Sequence, residues 1–380
     1  MYFRFRNGSG ITREMRRQPM QQAHKYVVGL ALFVAVLSFA APGASAAGVA
    51  WVSPPANAVL QRNGDGVADL QFALAPGAPR TEVTLSRPGQ EPPMWRQTLG
   101  KGKTTGTFSK VPGGLYDLCA RPLDKANAAK ECRRVGVGEV FLVAGQSNAV
   151  STDLSHKRHA SQTGMVAVND YHGDLDKVQA EEGKPVVDRL VFTGPDAAIT
   201  ANVCWMRLGD LLAAQYQVPV AFINVARNAT DSTCWNPASG ACWPLFAKTL
   251  AQRAYRAVLW HQGESDVMMG FPQEKSFENV KSLIEASRGI APGIPWIVAH
   301  NSLKNETPYA QQPVRQAQAA LVAQGLACAG PDTDVIRDNP DWVGVADFGA
   351  AGLTRHGELW FPVVDAFLRG GACLGAFDAP

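Results

Sequence analysis

The chain has 380 residues, of which 46% are hydrophobic and 18% are charged, and its formal net charge is +3. These proportions are those of a globular protein with a sizeable core, and the length is enough for two domains. They exclude a wholly disordered chain. No basic run is interleaved with aromatic residues, so nucleic acid is not an expected partner.

The first 46 residues are predicted to be a signal peptide rather than part of the fold. Basic residues precede an apolar run from Tyr26 to Ala41, and Ala44-Ser45-Ala46 follows it. This order is typical of a secretory leader that is cleaved after Ala46. The alternative is an uncleaved membrane anchor, for which the run is short. We therefore expect a periplasmic or secreted protein with no stable membrane insertion after cleavage.

Seven cysteines fit an exported protein, because disulfides persist in oxidising compartments. The candidate bridges are Cys119–Cys132, Cys234–Cys242 and Cys328–Cys373, which leaves Cys204 over. Sequence alone does not fix this connectivity. No cysteine–histidine cluster has the spacing of a zinc site, so we expect neither a metal nor a cofactor.

Residues 48–136 are predicted to form a small immunoglobulin-like β-sandwich. Short runs in which apolar residues alternate with polar ones are separated by turns rich in glycine and proline. The clearest runs are Ala68–Leu74 and Thr81–Ser86; Met94–Leu99 and Leu115–Ala120 alternate less cleanly but have the length and composition of strands. No catalytic constellation occurs here, so we interpret this region as a packing or spacer module, with contact to carbohydrate as the alternative.

Residues 137–374 are predicted to form a three-layer α/β/α sandwich. Apolar runs alternate with amphipathic segments from Gly138 onwards, which indicates a parallel sheet covered by helices on both faces. The predicted strands are 140–143, 218–225, 257–260 and 294–299, and the predicted helices are 204–217, 244–255, 276–288, 313–324 and 350–369. The loop-rich stretch 151–200 is expected to form part of the rim of a site.

Ser147 is the candidate nucleophile. The apolar run Val140–Val143 stops abruptly in Ala144-Gly-Gln-Ser-Asn148. A buried parallel strand that ends in this way places Ser147 at the carboxyl edge of the sheet, where open α/β folds bind their ligands. A helix that begins after it would favour the negative charge of an alkoxide. The alternative is an ordinary serine at the N-cap of a helix.

Two blocks of sequence resemble a known family. Gly145-Gln-Ser-Asn148 follows one apolar strand, and Trp260-His-Gln-Gly-Glu-Ser-Asp266 ends another. Together they resemble the blocks of the SGNH hydrolases, and more closely those of the sialate O-acetylesterase-like carbohydrate esterases. The resemblance covers roughly residues 137–370. It implies an SGNH-type fold and an exported serine carboxylic ester hydrolase that removes acetyl groups from a carbohydrate, so the expected partner is an acetylated glycan or another acyl-carbohydrate.

The resemblance also implies roles for the residues around these blocks. The candidate oxyanion and substrate-binding residues are Gln146, Asn148, Asn228, Ala229 and Gln262. Asn228-Ala229 stands where the family has a pair of glycines, and a plain surface loop is the alternative. Glu264 is expected either to orient a base as the acid of a triad or only to organise the loop around Ser147. His261 and Glu264 are a weak metal pair at this spacing.

The general base departs from the family pattern. The family places Asp-x-x-His before a phenylalanine near the C-terminus, whereas this chain has Gly344 and Asp347 at those positions. A carboxylate with an ordinary pKa of about 4 accepts the serine proton less readily than an imidazole at about 6.5. His300, which ends the strand 294–299, is the alternative base, while His356 is expected to be a buried structural residue. A second hypothesis is therefore a non-catalytic glycan-binding or assembly protein on a degenerate esterase scaffold.

Overall fold

The structure is a computed structural model that describes residues 49–125, 127–169, 189–304 and 308–370. The predicted signal peptide and Cys373 lie outside these residues. Within them, the chain forms a β-rich N-terminal region followed by an α/β region, and one long strand belongs to both.

The N-terminal β region contains seven strands in two sheets around one core. They are β1 (Trp51–Ser53), β2 (Val59–Gln61), β3 (Val67–Leu74), β4 (Thr81–Ser86), β5 (Trp95–Leu99), β6 (Thr105–Pro112) and β7 (Gly114–Pro122). Strands β1, β3 and β6 form one sheet, and β4 pairs with β5 and β7 in the other. Leu70 and Phe108 from the first sheet share a core with Leu85 and Leu118 from the second. All four predicted runs are strands, whereas the immunoglobulin-like topology and the boundary at residue 136 stay predictions.

Strand β8 (Glu131–Gly145) is 15 residues long and joins the two regions. Its first half pairs antiparallel with β7, and residues 136–138 pair parallel with β2. Its second half lies between β11 (Val220–Asn224) and β12 (Ala257–His261). Near the middle, the buried carboxylate of Glu139 lies 2.6 Å from Nε of both Arg62 and Arg256. The carboxylate is buried and paired with both partly exposed arginines, so the cluster links the end of β2 to the central sheet.

The central sheet has the order β10-β9-β11-β8-β12-β13-β14. Its other strands are β9 (Val166–Asn169), β10 (Leu190–Phe192), β13 (Trp296–His300) and β14 (Cys328–Asp332). Neighbours from β9 to β14 run parallel, as predicted, but β10 runs antiparallel to β9 and makes the sheet mixed. An edge strand has a single partner and can run in either direction, so the apolar pattern does not determine its sense.

Helices cover both faces of this sheet. They are α1 (Ser147–Val150), α2 (Val203–Tyr216), α3 (Trp243–Leu250), α4 (Glu264–Met268), α5 (Gln273–Ile290), α6 (Pro308–Ala323) and α7 (Ala350–Leu368). Leu142 of β8 faces a cluster that includes Phe246 of α3 and Leu283 of α5. Phe141 faces the opposite cluster, with Leu208 of α2. The three-layer arrangement and the five predicted helices are therefore confirmed, with ends shifted by a few residues.

Candidate active site

Ser147 lies at the carboxyl edge of the central sheet, as predicted, because the chain turns sharply between β8 and α1. Gly145 has φ +131°, and a Cβ atom at this position would lie 1.9 Å from the backbone oxygen of His261. Only glycine fits this close approach to β12. The turn therefore places Ser147 at the edge of the sheet where β8 and β12 end side by side.

A cavity of about 290 Å³ opens beside Ser147. Its lining residues come from four segments of the chain: Gln146, Ser147, Asn148, Thr152, Leu154, Asn228, Ala229, Ser265, Met268, Ala346, Asp347, Phe348 and Leu353. The short hairpin of β15 (Trp342–Val343) and β16 (Asp347–Phe348) brings Asp347 to this cavity. Ser147 and Asp347 both line this cavity, and the Ser147 side chain acts through a hydrogen bond to lower the pKa of the Asp347 carboxyl. The structure thus brings together residues that are 200 positions apart in the sequence.

Four side chains, Gln146, Asn148, Gln262 and Glu264, form what we call the polar framework of the site. All four are buried. Gln146 Oε1 accepts hydrogen bonds from Gln262 Nε2 at 2.6 Å and from the backbone N–H of Ser265 at 3.1 Å. Gln262 Nε2 also donates to the backbone oxygen of Thr230 at 2.7 Å. Both amide hydrogens of Gln262 are therefore used to hold the loops that follow β8, β11 and β12 together.

Asn148 connects the polar framework to the hairpin that carries Asp347. Its Nδ2 donates to Glu264 Oε1 at 2.9 Å and to the backbone oxygen of Ala346 at 2.8 Å. Its Oδ1 accepts the backbone N–H of Phe348 at 3.0 Å. The residues on both sides of Asp347 are therefore fixed by one amide. Sequence reasoning placed Asn148 among substrate-binding residues and missed this positioning contact, because its partners are about 200 residues away.

The loop after β11 places Asn228 and Ala229 in the cavity wall. Ala229 has φ +54°, in the left-handed region. An L-residue with a Cβ atom is strained there by about 1–2 kcal/mol, whereas glycine is not. Ala229 therefore has a backbone conformation typical of glycine, although its side chain is that of alanine.

Two predicted disulfides are confirmed. Cys234 and Cys242 are bridged next to the loop that carries Ala229, and Cys119 is bridged to Cys132 between β7 and β8. Cys328 is also disulfide-bonded. Its predicted partner lies outside the described residues. Cys204 is buried and has a free thiol.

Two buried histidines lie behind the cavity and contact each other. His261 Nδ1 lies 2.9 Å from His356 Nε2, and Trp360 Nε1 donates to the same His356 nitrogen at 2.9 Å. His261 Nε2 lies 2.9 Å from Glu264 Oε1, but not in line for a hydrogen bond. Burial holds the pKa of His356 well below its ordinary value, with the neighbouring His261 acting in the same direction. The predicted structural role of His356 is consistent with its complete burial.

His300 ends β13, two strands away from β8 and so roughly 10 Å across the sheet. Its Nδ1 lies 3.9 Å from Asp332 Oδ2. Burial lowers the pKa of His300, although Asp332 opposes this shift. His300 is not part of the cavity wall, and the described residues that line the cavity include no histidine. Of the base candidates, the structure brings Asp347 and not His300 to Ser147.

The environment of Asp347 alters its acid–base properties. Burial raises the pKa of the Asp347 carboxyl and the negative charge of Glu264 adds to this, whereas the hydrogen bond from Ser147 opposes it. A carboxylate with a raised pKa is a stronger base than an ordinary aspartate, and its acid form survives to higher pH. In the described part of the chain, no group of three or more His, Cys, Asp or Glu side chains is arranged to hold a metal ion.

Comparison with known proteins agrees with the two blocks around Ser147 and Glu264. Residues 137–339 match the family described as carbohydrate esterase, sialic acid-specific acetylesterase, which is more than half of the chain. The chain belongs to this family of carbohydrate esterases. The family match begins inside β8 and ends before the Asp347 hairpin.

One solved structure shares the fold of this chain, and others resemble it less closely. A carbohydrate acetylesterase from Xanthomonas citri has a TM-score of 0.55 at 16% identity, over 87% of this chain and 78% of that one. A protein from Arabidopsis thaliana has a TM-score of 0.42 at 15% identity, over 62% and 99%. A psychrotrophic esterase from Pseudoalteromonas has a TM-score of 0.40 at 14% identity, over 61% and 99%. No match is found among the curated proteins.

Proposed function

We propose that this chain is a serine esterase that removes acetyl groups from a carbohydrate through an acyl-serine intermediate on Ser147. The observation that carries the proposal is that Ser147 and Asp347 line one cavity, with the serine side chain near enough to act on the pKa of the carboxyl. Family membership supports the esterase chemistry and the acetylated carbohydrate substrate. The family match ends before Asp347, so the assignment of this residue as the base rests on the structure.

In the proposed mechanism, Ser147 Oγ attacks the acetyl carbonyl carbon while its proton moves to the carboxylate of Asp347. The oxyanion is stabilised by backbone N–H groups of Ser147 and of the Asn228–Ala229 loop. Protonated Asp347 then donates its proton to the departing sugar oxygen, which leaves the acetyl group on Ser147. A water molecule, deprotonated by Asp347, hydrolyses this intermediate and restores the serine. The raised pKa of Asp347 assists both proton transfers.

The pH dependence tests the base. A carboxylate must be ionised to accept the proton, so kcat/KM should rise with pH through an inflection above the ordinary aspartate value of about 4. An imidazole base would instead give a rise near 6.5. A profile whose single inflection lies near 6.5 and survives in Asp347→Asn would overturn the assignment.

Turnover tests the function. Purified protein is assayed with p-nitrophenyl acetate and an acetylated glycan beside Ser147→Ala, with the exposed-loop variant Ser239→Ala as the matched control. We expect slow hydrolysis by the wild type and by Ser239→Ala, and only the uncatalysed background with Ser147→Ala. Equal rates in Ser147→Ala and wild type would refute the acyl-serine mechanism.

A second candidate function, non-catalytic glycan binding or assembly, is favoured by one specific observation. The described residues that line the cavity include no imidazole, and His261 and His356 are engaged with each other. This candidate would replace the first if the wild type binds an acetylated glycan but hydrolyses it no faster than Ser147→Ala does.

We also propose that the protein acts in the periplasm or outside the cell. The disulfides Cys119–Cys132 and Cys234–Cys242 favour an oxidising compartment. Within the described residues, no helix is both long enough and apolar enough to cross a bilayer. N-terminal sequencing of exported protein should find a mature chain that starts near Ala47; a retained leader would contradict the predicted cleavage.

A further inference from the structure

The cavity beside Ser147 has polar side-chain groups that the protein leaves without partners. Thr152 Oγ1 is buried and, within the described residues, has no hydrogen-bond partner. Gln146 and Ser265 also line the cavity. Gln146 Oε1 accepts from Gln262 and from the backbone N–H of Ser265, but in the described part of the chain neither Gln146 Nε2 nor Ser265 Oγ forms a hydrogen bond. Two hydroxyls and one amide nitrogen of the wall are therefore available to a ligand.

The backbone on both sides of Thr152 is anchored. Ser151, at the end of α1, accepts the backbone N–H of Cys204 on its Oγ at 2.8 Å. The backbone N–H of Asp153 donates to the backbone oxygen of Thr200 at 2.8 Å. Thr152 lies between these two anchored residues, so little backbone freedom is lost when its hydroxyl binds a ligand.

Ser265 is anchored to the turn that carries the proposed nucleophile. Its backbone N–H donates to Oε1 of Gln146, the residue before Ser147, at 3.1 Å. Ser265 follows β12 and Thr152 follows β8, and these two strands are neighbours in the sheet. The two hydroxyls therefore belong to segments that meet at the edge of the sheet where Ser147 lies, and the packed elements beneath them hold both in place.

The volume of the cavity limits what these groups can bind. It is about 290 Å³, which is room for roughly ten water-sized groups, because each occupies about 30 Å³. The three heavy atoms of an acetyl group fill about a third of this space. The rest can hold the part of a sugar ring that carries the ester, including the hydroxyl on the neighbouring carbon. Such a hydroxyl both donates and accepts hydrogen bonds, as do the hydroxyls of threonine and serine.

We propose that Thr152 and Ser265 bind the free hydroxyl on the sugar carbon next to the acetylated oxygen. The Thr152 hydroxyl turns toward this ligand by rotation about χ1. The site then prefers acetyl esters that have an unmodified neighbouring hydroxyl, because an ester without one leaves the polar groups of the wall unpaired. This inference rests on the proposed esterase function and specifies the class of acetylated carbohydrate that is its substrate.

Two esters of similar shape test the inference. The monoacetate of trans-cyclohexane-1,2-diol has a neighbouring hydroxyl, and cyclohexyl acetate lacks it. Both are titrated by NMR into Ser147→Ala, in which the proposed acyl-serine cannot form. We expect the hydroxy ester to bind about tenfold more tightly, because two hydrogen bonds of ordinary net strength contribute. In a cavity without polar partners it would bind more weakly than cyclohexyl acetate, because its hydroxyl would lose its water.

Variants in the Ser147→Ala background assign the preference to the two side chains. Thr152→Val and Ser265→Ala should each reduce the ratio of the two Kd values about threefold, while Thr152→Ser, which keeps the hydroxyl, should retain it. Thr107→Val, at an exposed threonine of β6, is the matched control and should leave the ratio unchanged. Equal Kd values for the two esters, or an undiminished ratio in both Thr152→Val and Ser265→Ala, would overturn the inference.

Urea unfolding separates ligand binding from a structural role of the Thr152 hydroxyl. Because Thr152 Oγ1 has no partner among the described residues, Thr152→Val should be at least as stable as the protein in which it is made. A clearly lower stability of Thr152→Val would show that the hydroxyl serves the fold and would overturn its assignment to the ligand.

The wild-type turnover of p-nitrophenyl acetate separates the two proposals. Turnover together with equal Kd values refutes the hydroxyl-binding site and leaves the esterase function standing. A preference for the hydroxy ester without any turnover supports the hydroxyl-binding site and refutes catalysis.

Discussion

The two walls of the Ser147 cavity differ in how completely they are bonded. On one wall, Gln146 and Asn148 of the polar framework are buried; Gln146 Oε1 accepts from Gln262 Nε2, and Asn148 Nδ2 donates to Glu264 and to backbone. The other wall is the hairpin of residues 342–348, which has exposed valines and supplies one carboxylate to Ser147. The comparison separates a buried polar scaffold around Ser147, the proposed nucleophile, from an exposed hairpin that carries Asp347, the proposed base.

The largest loss of stability is expected at Gly145, where the neighbouring backbone leaves no space for a side chain. In Gly145→Ala, the new Cβ atom would meet the backbone oxygen of His261 at 1.9 Å, in a residue with positive φ. We expect a loss of more than about 3 kcal/mol in the free energy of unfolding, or no folded protein. The control is Gly100→Ala, which has nothing within 4 Å. Urea unfolding measures both; a Gly145→Ala protein as stable as the control would contradict the close approach.

The next effect is expected from the residue that connects the two walls. Asn148→Ala removes three hydrogen bonds and takes a donor from the buried carboxylate of Glu264. We expect a loss of about 2–3 kcal/mol in stability and a lower kcat, because Asp347 is no longer held toward Ser147. Asn279→Ala, which removes one hydrogen bond to Ser232, should lose about 1 kcal/mol and keep its kcat. An unchanged kcat in Asn148→Ala would show that Asp347 does not depend on this amide.

A third substitution tests the changed residue of the second wall. Asp347→His together with Gly344→Asp should raise kcat about tenfold or more, since an imidazole is matched to both proton transfers near neutral pH. Gly344 has φ +70° and open space around it, a conformation that aspartate tolerates better than most residues. Asp347→His alone should give part of the gain. If both variants fold and hydrolyse esters no faster than the wild type, the base is not what limits the reaction.

The smallest change in stability is expected at Ala229, in the loop after β11 that lines the cavity. Ala229→Gly should raise the free energy of unfolding by about 0.5–1 kcal/mol, because relief of the left-handed alanine exceeds the entropy lost by glycine. The control is Ala238→Gly in an exposed turn, which should be neutral or slightly destabilising. Chemical unfolding at one pH distinguishes them; a destabilised Ala229→Gly would mean that the alanine methyl group packs usefully.

Much of the fold follows from the sequence because its apolar runs are long and well separated. The runs that became β8, β11, β12 and β13 were each predicted, and the turn after β8 placed Ser147 at the correct edge. Strands β9, β15 and β16 were not predicted, because two to four residues in a polar loop carry too little periodicity. β10, equally short, was missed for the same reason.

The site was less predictable than the fold, because its contacts join distant segments. The motif showed that Asp347 replaces a histidine, but not that His261 and His356 would pair with each other. Nor could spacing show that Gln262 directs its amide to Gln146 and Thr230. An amide side chain can donate and accept hydrogen bonds in several ways, and the partners that it binds depend on how the loops pack around it.

The length of β8 has a mechanical consequence. Fifteen extended residues span at most about 50 Å, from the N-terminal sheet to two residues before Ser147. Neighbouring strands brace both halves, and the Glu139 ion pairs clamp its middle. The two regions are therefore joined by a continuous, hydrogen-bonded strand and not by a loop.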